Sequence, residues 1–298
     1  MKDFGELFDQ LKKTQKQKVV LAGAEDFEAM KALAESSEMG ITQAVLIGNS
    51  QKIEENLKNI SITDYEIIHT ESSEETAEKS VKYISEGPGT VLMKGMIKTA
   101  LLLKAVLNKD WGLRSGNLLS HVAVASTKTL NKIVAITDGG MNLKPNLEEK
   151  ISIIDNAVSL MRSLGVKKPK VAPIAAVEVV NPKMPETLDA ALLSKMNQRN
   201  QIKNCLVEGP LGLDNALSNF AAQVKGIESE VAGDADILLV PDIHSGNFLG
   251  KSVEYIGGGT IGGLIMGAKV PIVIVSRADK AQAKLTSIAL SVMNSLNS

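Results

Sequence analysis

The sequence predicts an α/β protein, two α/β lobes with a cleft between them. Three observations carry this. First, short apolar runs such as Ile237-Leu238-Leu239-Val240 and Pro271-Ile272-Val273-Ile274-Val275 stop abruptly at polar clusters, the pattern of strands buried on both faces of a parallel sheet. Second, such runs alternate with stretches of helical period, which implies βαβ units with right-handed crossovers. Third, hydrophobic residues make up 44% of the chain but aromatics only 3%, so the core is aliphatic and suits sheets covered by helices. A length of 298 residues is a prior for two domains rather than one.

Taken in order, a charged helix over residues 2–15 precedes a strand at 18–23. Glu25 begins a helix to Ser37, with Gly40 as its stop. The rhythm repeats as strand 44–47, helix 50–57, strand 65–69, helix 73–84, strand 90–93 and a helix after Gly95. From Trp111 the texture changes: residues 112–117 have no clear period and lead into a strand at 120–125. Another strand at 132–138 ends in Asp138-Gly139-Gly140-Met141-Asn142. Asn146 and Glu149 have the spacing of a capping box. Ile151, Ile154, Ala157, Val158 and Met161 then trace one face of a helix ending near Gly165.

Residues 170–177 read as a strand, and Pro185 suits the first turn of a helix running through Met196. Strand 205–208 ends at Gly209-Pro210-Leu211-Gly212-Leu213-Asp214-Asn215, before a further helix. A glycine-rich passage, 257–267, precedes strand 271–275 and reads as close helix packing or a mobile backbone near the cleft. The last helix buries Leu285, Ile288, Ala289, Val292 and Leu296 and returns to the first lobe.

Composition excludes several classes. Lys and Arg number 33 against 34 Asp and Glu, which is no basic footprint for nucleic acid. A single cysteine, Cys205, rules out an internal disulfide and fits a reducing compartment. It lies in an apparent strand and reads as a small buried residue rather than a nucleophile. No apolar stretch reaches bilayer length and no signal-peptide block opens the chain. The expectation is a soluble, cytoplasmic protein without membrane or nucleic-acid partners.

Candidate functional groups gather at strand ends, where open α/β sheets bind ligands. Ser276-Arg277 offers a hydroxyl and a guanidinium at a strand end facing a helix start, an arrangement that holds phosphate or carboxylate. The alternative is a helix cap beside a solvated arginine. Ser245-Gly246-Asn247 is a second helix start of this kind, and Asp214, Asp242 and Asp279 are each a general base or a cap. His121 and His244 read as structural. Residues 257–262 match GxGxxG, but a helix precedes them and a strand follows, the reverse of the dinucleotide context. No His or carboxylate set has metal-ligand spacing, and no GxSxG elbow is present.

Several passages together resemble the phosphate acetyl/butyryl transferase family over nearly the whole chain. They are Met93-Lys94-Gly95, Leu113-Arg114-Ser115-Gly116-Asn117-Leu118-Leu119-Ser120-His121-Val122, Thr137-Asp138-Gly139-Gly140-Met141-Asn142 and residues 177–185. Glu208-Gly209-Pro210-Leu211, Asp214-Asn215-Ala216, Val240-Pro241-Asp242 with Ser245-Gly246-Asn247, and Ser276-Arg277 complete the set. The Leu-Arg-Ser-Gly-Asn-Leu-Leu-Ser-His run, Ser-Arg-Ala-Asp and the short length look like the butyryl branch.

The resemblance implies a reversible exchange, butanoyl-CoA + phosphate = butanoyl phosphate + CoA, by direct transfer in a ternary complex. It implies a fold like that of isocitrate and isopropylmalate dehydrogenases, with a discontinuous first lobe (1–130 plus 264–298) and a second lobe (131–263). Acyl-CoA and inorganic phosphate are the implied substrates, with no metal or redox cofactor. A homodimer or higher homo-oligomer, working alongside an acyl kinase, is also implied.

Arg277 would bind phosphate and stabilise the oxyanion, and Ser276 would hydrogen-bond the departing sulfur. The acetyl branch has an aspartate base seven positions after that serine; here the position is Ala283. Asp279 is the substitute. Arg114, Ser115, Asp242, Ser245, Gly246 and Asn247 are the implied substrate contacts. The rival readings are an acetyl-specific transferase, a non-catalytic acyl-CoA sensor and a metal-dependent decarboxylating dehydrogenase.

Overall fold

The computed structural model describes residues 1–87, 89–275 and 280–297. The chain forms two compact units, Phe4–Asn117 with Gly262–Ser298, and Met1–Asp3 with Leu118–Ile261.

The first segment carries α1 (Phe4–Leu11), β1 (Gln17–Ala22), α2 (Phe27–Glu38), β2 (Thr42–Gly48), α3 (Ser50–Leu57) and β3 (Tyr65–His69). It continues with α4 (Ser73–Ser85), β4 (Val91–Lys94) and α5 (Thr99–Val106). The middle segment carries β5 (Ser120–Ser126), β6 (Val134–Thr137), α6 (Leu147–Ser163), β7 (Lys170–Pro173), α7 (Pro185–Gln198) and β8 (Leu206–Val207). Then come α8 (Leu213–Leu217), α9 (Asn219–Val224), β9 (Ile237–Leu239) and α10 (Ile243–Tyr255). The return is β10 (Thr260–Met266), β11 (Ile272–Val273) and α11 (Ala281–Leu296).

In the unit built on Phe4–Asn117 the strand order is β3-β2-β1-β4-β11-β10. The β3, β2, β1, β4 and β11 pairings are parallel, and β10 is antiparallel to β11. Val19, Val20, Leu21, Val91, Leu92 and Met93 are fully buried. The alternation-free burial of β1 follows, because helices cover both faces of a parallel sheet. Asp26, Asn49 and Ser72 cap α2, α3 and α4 through their side-chain oxygens, the short polar groups that satisfy orphan N–H donors at a helix start. In α11, Ile288, Leu290 and Val292 have no exposed surface.

The glycine-rich passage, read as close helix packing or a mobile backbone, contains strand β10. Its glycines serve a close approach: a Cβ on Gly262 would meet Thr286 Cγ2 of α11 at 2.7 Å. Gly263 N donates to Ser287 Oγ at 2.9 Å. The strand escapes pattern reading because a strand interior normally avoids glycine, while the close helix packing expected from the glycines is present.

In the other unit the order is β5-β6-β9-β7-β8. Here β6, β9, β7 and β8 are parallel, but β5 and β6 run antiparallel. The residues between them form no helix, and a parallel pair would need a crossover of a dozen residues or more. Strand β7 ends at Pro173, not at 177. Ile174 still donates to Leu239 O at 2.8 Å and Ala175 to Leu211 O at 2.9 Å, after which the backbone leaves the sheet. Asn146 and Glu149 form the full capping box of α6, with bonds of 2.9 and 2.8 Å. At the amino ends of these strands Lys132 bonds both Asp234 (2.6 Å) and Asp236 (2.7 Å), and Lys170 bonds Asp234 (2.7 Å).

Candidate active site

The carboxyl ends of β6, β7, β8 and β9 carry most of the polar motifs of the unit Leu118–Ile261. Strand β6 delivers Asp138, which is 2% exposed. Asp138 Oδ1 accepts from Gly140 N (2.8 Å) and Met141 N (2.9 Å). Its Oδ2 accepts from His121 N (3.1 Å), Asn142 N (3.2 Å) and Asn142 Nδ2 (2.6 Å). The carboxylate thus folds the following turn around itself, which two small residues, Gly139 and Gly140, allow. Sequence reasoning quoted this segment but gave Asp138 no role; an Asp-Gly-Gly run at a strand end was the available signal.

Strand β9 delivers Val240, whose N–H bonds Thr137 O at 2.8 Å, and then Asp242, the N-cap of α10. Asp242 Oδ1 accepts from Ser245 N (2.8 Å) and from the Ser245 hydroxyl (3.0 Å). The Ser245 backbone bond above all, outweighing the opposing effect of burial and aided by the Ser245 hydroxyl bond and by His244, holds the Asp242 carboxyl below its ordinary value. Asp242 is therefore a charged cap. Gly246 sits in the first turn of α10 against Gly139: a Cβ on Gly246 would lie 2.6 Å from Gly139 Cα. Asn247 Nδ2 donates to Gly139 O at 3.5 Å. Asp242, Ser245, Gly246 and Asn247 are in this way brought together with the 138–142 turn.

Beside them lies a cavity of about 360 Å³ lined by Ile174, Ala175, Ala176, Leu213, Val240 and Leu249, with Asp242, Ser245, Pro241 and Glu186 also on its surface. Neither Glu186 nor the 174–176 segment is evident from sequence, since residues 170–177 read as one strand. Pro173, which cannot donate to a ladder, was the overlooked signal.

In the other unit, Arg114 pairs through its backbone with Ala268, and Lys269 N donates to Leu113 O at 2.8 Å. Ser115 Oγ donates to Gly267 O at 2.6 Å and accepts from Asn117 N at 3.2 Å. Gly116 has φ +94°, a left-handed turn. These bonds fix the loop while Arg114 and Ser115 remain exposed. At the ends of β1 and β4, Gly23 and Gly95 touch so closely that a Cβ on Gly95 would lie 2.2 Å from Gly23 O. The Lys94 ammonium bonds Gly95 O and Ile97 O, both at 3.1 Å.

Ser276, Arg277 and Asp279 lie outside the described residues. Ala283 is buried in the first turn of α11. Cys205 is 4% exposed, and burial first, then Asp155, pushes its thiol up to about 11. Among the described residues there is no group of three or more His, Cys, Asp or Glu placed to hold a metal ion. No described helix is long and apolar enough to cross a membrane.

Fold and site define an α/β protein whose polar groups converge on strand-end turns. The chain belongs to the Phosphate acetyl/butaryl transferase family, which it matches over residues 4–86 and 76–292. It is 43% identical to phosphate butyryltransferase of Clostridium acetobutylicum over 98% of both chains. It is 40% identical to phosphate acetyltransferase of Thermotoga maritima over 93% of this chain and 94% of that one. The solved structure of a branched-chain phosphotransacylase from Enterococcus faecalis V583 superposes with a TM-score of 0.83 at 30% identity, covering 95% of this chain and 100% of that one.

Proposed function

We propose that the protein catalyses the reversible transfer of a butyryl or similar short acyl group between CoA and inorganic phosphate. The observation that carries this is the 43% identity to a phosphate butyryltransferase along 98% of the chain. Identity to an acetyltransferase is only slightly lower, at 40%, so acetyl transfer is the rival to be tested.

The reaction needs a phosphate oxygen to attack the thioester carbonyl, forming a C–O bond while the C–S bond breaks and CoA leaves as thiolate. Negative charge gathers first on the carbonyl oxygen and then on sulfur. Arg277 binds phosphate and stabilises the oxyanion, a kind of contact worth about 3–4 kcal/mol per donor. Ser276 donates a hydrogen bond to the departing sulfur, and Asp279 takes the base role in place of Ala283. Arg114, Ser115, Asp242, Ser245, Gly246 and Asn247 contact substrate. Transfer is direct, and holding both substrates in one complex supplies much of the acceleration.

The two units, divided at residues 117/118 and 261/262, are lobes of the kind found in isocitrate and isopropylmalate dehydrogenases. The reaction requires no metal or redox cofactor. The protein works in the cytoplasm as a homodimer or higher homo-oligomer, and its acyl phosphate product feeds an acyl kinase. Phosphate-dependent release of CoA thiol from butyryl-CoA, with acetyl-CoA run alongside, tests the reading. Faster release from butyryl-CoA supports it; faster release from acetyl-CoA keeps the chemistry and changes the substrate. No release from either refutes it.

A further inference from the structure

The cavity beside Asp242 and Ser245 has two kinds of wall. One is aliphatic, built from Ile174, Ala175, Ala176, Leu213, Val240 and Leu249, which come from the ends of β7 and β9 and from α8 and α10. The other is anionic. Asp242 and Glu186 both reach its surface, and the Ser245 hydroxyl is already donated to Asp242.

Glu186 has no ion-pair partner among the described residues. Lys150, which shares a small neighbouring cavity with Glu186, is bonded instead to Asp189 at 2.5 Å. A volume of about 360 Å³ exceeds what a two-carbon group can fill. An apolar chain displaces water from the aliphatic wall favourably, whereas a terminal carboxylate would meet two like charges.

We propose that this cavity receives the aliphatic end of the acyl group, and that Glu186 and Asp242 turn away acyl groups ending in a carboxylate. This rests on the acyl-transfer reading above. Ala176 is exposed at the cavity surface, so a bulky replacement fills the cavity without overpacking the core. Leu213 is 39% exposed and can be truncated without opening a void in the core.

The experiment is calorimetric titration of the full chain with acetyl-, butyryl- and succinyl-CoA, for wild type, Ala176→Phe, Leu213→Ala and Glu186→Gln. Each added methylene in an apolar pocket discriminates by about tenfold or more. The wild type should therefore prefer butyryl-CoA over acetyl-CoA by at least that factor. Ala176→Phe and Leu213→Ala should each cut the preference at least threefold, and Glu186→Gln should raise the succinyl-to-butyryl affinity ratio about tenfold.

An unchanged butyryl-to-acetyl ratio in whichever of the two wall variants keeps the wild-type melting temperature overturns the cavity assignment. An unchanged succinyl ratio overturns the role of Glu186. Phosphate-dependent CoA release is read on the same wild-type sample. Binding that depends on the wall residues without release leaves the cavity assigned and refutes acyl transfer, and release with unchanged ratios does the opposite.

Discussion

Gly139 and Gly246 meet backbone to backbone. A Cβ on Gly246 would lie 2.6 Å from Gly139 Cα, and one on Gly139 would lie 2.6 Å from the Gly246 carbonyl carbon. This contact seats the first turn of α10, with Ser245 and Asn247, on the turn that Asp138 organises. Both partners are backbone, so neither can move aside for a methyl group. Gly246→Ala should cost about 1–3 kcal/mol through overpacking, read as a lower urea midpoint. Turnover should fall further than stability, because the substituted turn carries proposed substrate contacts.

Asp138→Ala removes the acceptor for the Gly140, Met141, Asn142 and His121 N–H groups together. Buried donors left without a partner cost about 1–3 kcal/mol each. A loss of about 3 kcal/mol or more is expected in chemical denaturation. Asp138→Asn keeps one acceptor oxygen and should lose less.

Asp242 and Glu208 should shift stability with pH in opposite senses. The Asp242 carboxyl is held low in the folded protein, by the Ser245 backbone bond above all. Its contribution is present above the ordinary value of 3.8 and lost as pH falls through the lowered one. Burial pushes the Glu208 carboxyl up from 4.5, so the folded state is penalised as pH rises past that value. Glu208→Gln should therefore raise the melting temperature at neutral pH, with the gain vanishing in acid. Asp242→Ala should lower stability at neutral pH by about 0.5–2 kcal/mol for a lost helix cap, and converge with wild type below the lowered carboxyl range.

Arg277→Ala should reduce kcat at least about a hundredfold, the usual effect of removing an oxyanion donor. Steady-state rates with butyryl-CoA and phosphate check it. A near-normal rate would remove Arg277 from the chemistry.

Cys205→Ser should leave turnover intact. With its thiol pushed up to about 11, Cys205 is protonated at neutral pH, and a thiol rather than a thiolate is a poor nucleophile. Unchanged steady-state kinetics are expected; loss of activity in folded protein would argue for a covalent route.

The α/β class, the order of nearly all elements and the cap at Asn146 were legible in the chain, whereas the start of α10 was read at Ser245 and lies at the Asp242 cap. They follow from local rules: apolar runs bounded by turns, helical periodicity and short polar side chains before a helix. The acyl-transfer reading was legible too, as a set of short motifs spread along the chain. In the glycine-rich 257–267 passage the close helix packing was legible but strand β10 was not. Its strand exists because Gly262 lets α11 approach, and a missing side chain leaves no pattern to read.

The antiparallel β5–β6 pair and the early end of β7 at Pro173 were likewise hidden. Strand direction and the point where a backbone leaves a sheet depend on partners distant in sequence. The sequence determined which residue types stand at the strand ends, because covalent order and local propensity fix that. Only the tertiary structure decided that Asp138 binds its own turn, that Gly139 faces Gly246, and that Ala176, Leu213 and Glu186 share one cavity. Those relationships join residues far apart in the chain, and long-range packing alone creates them.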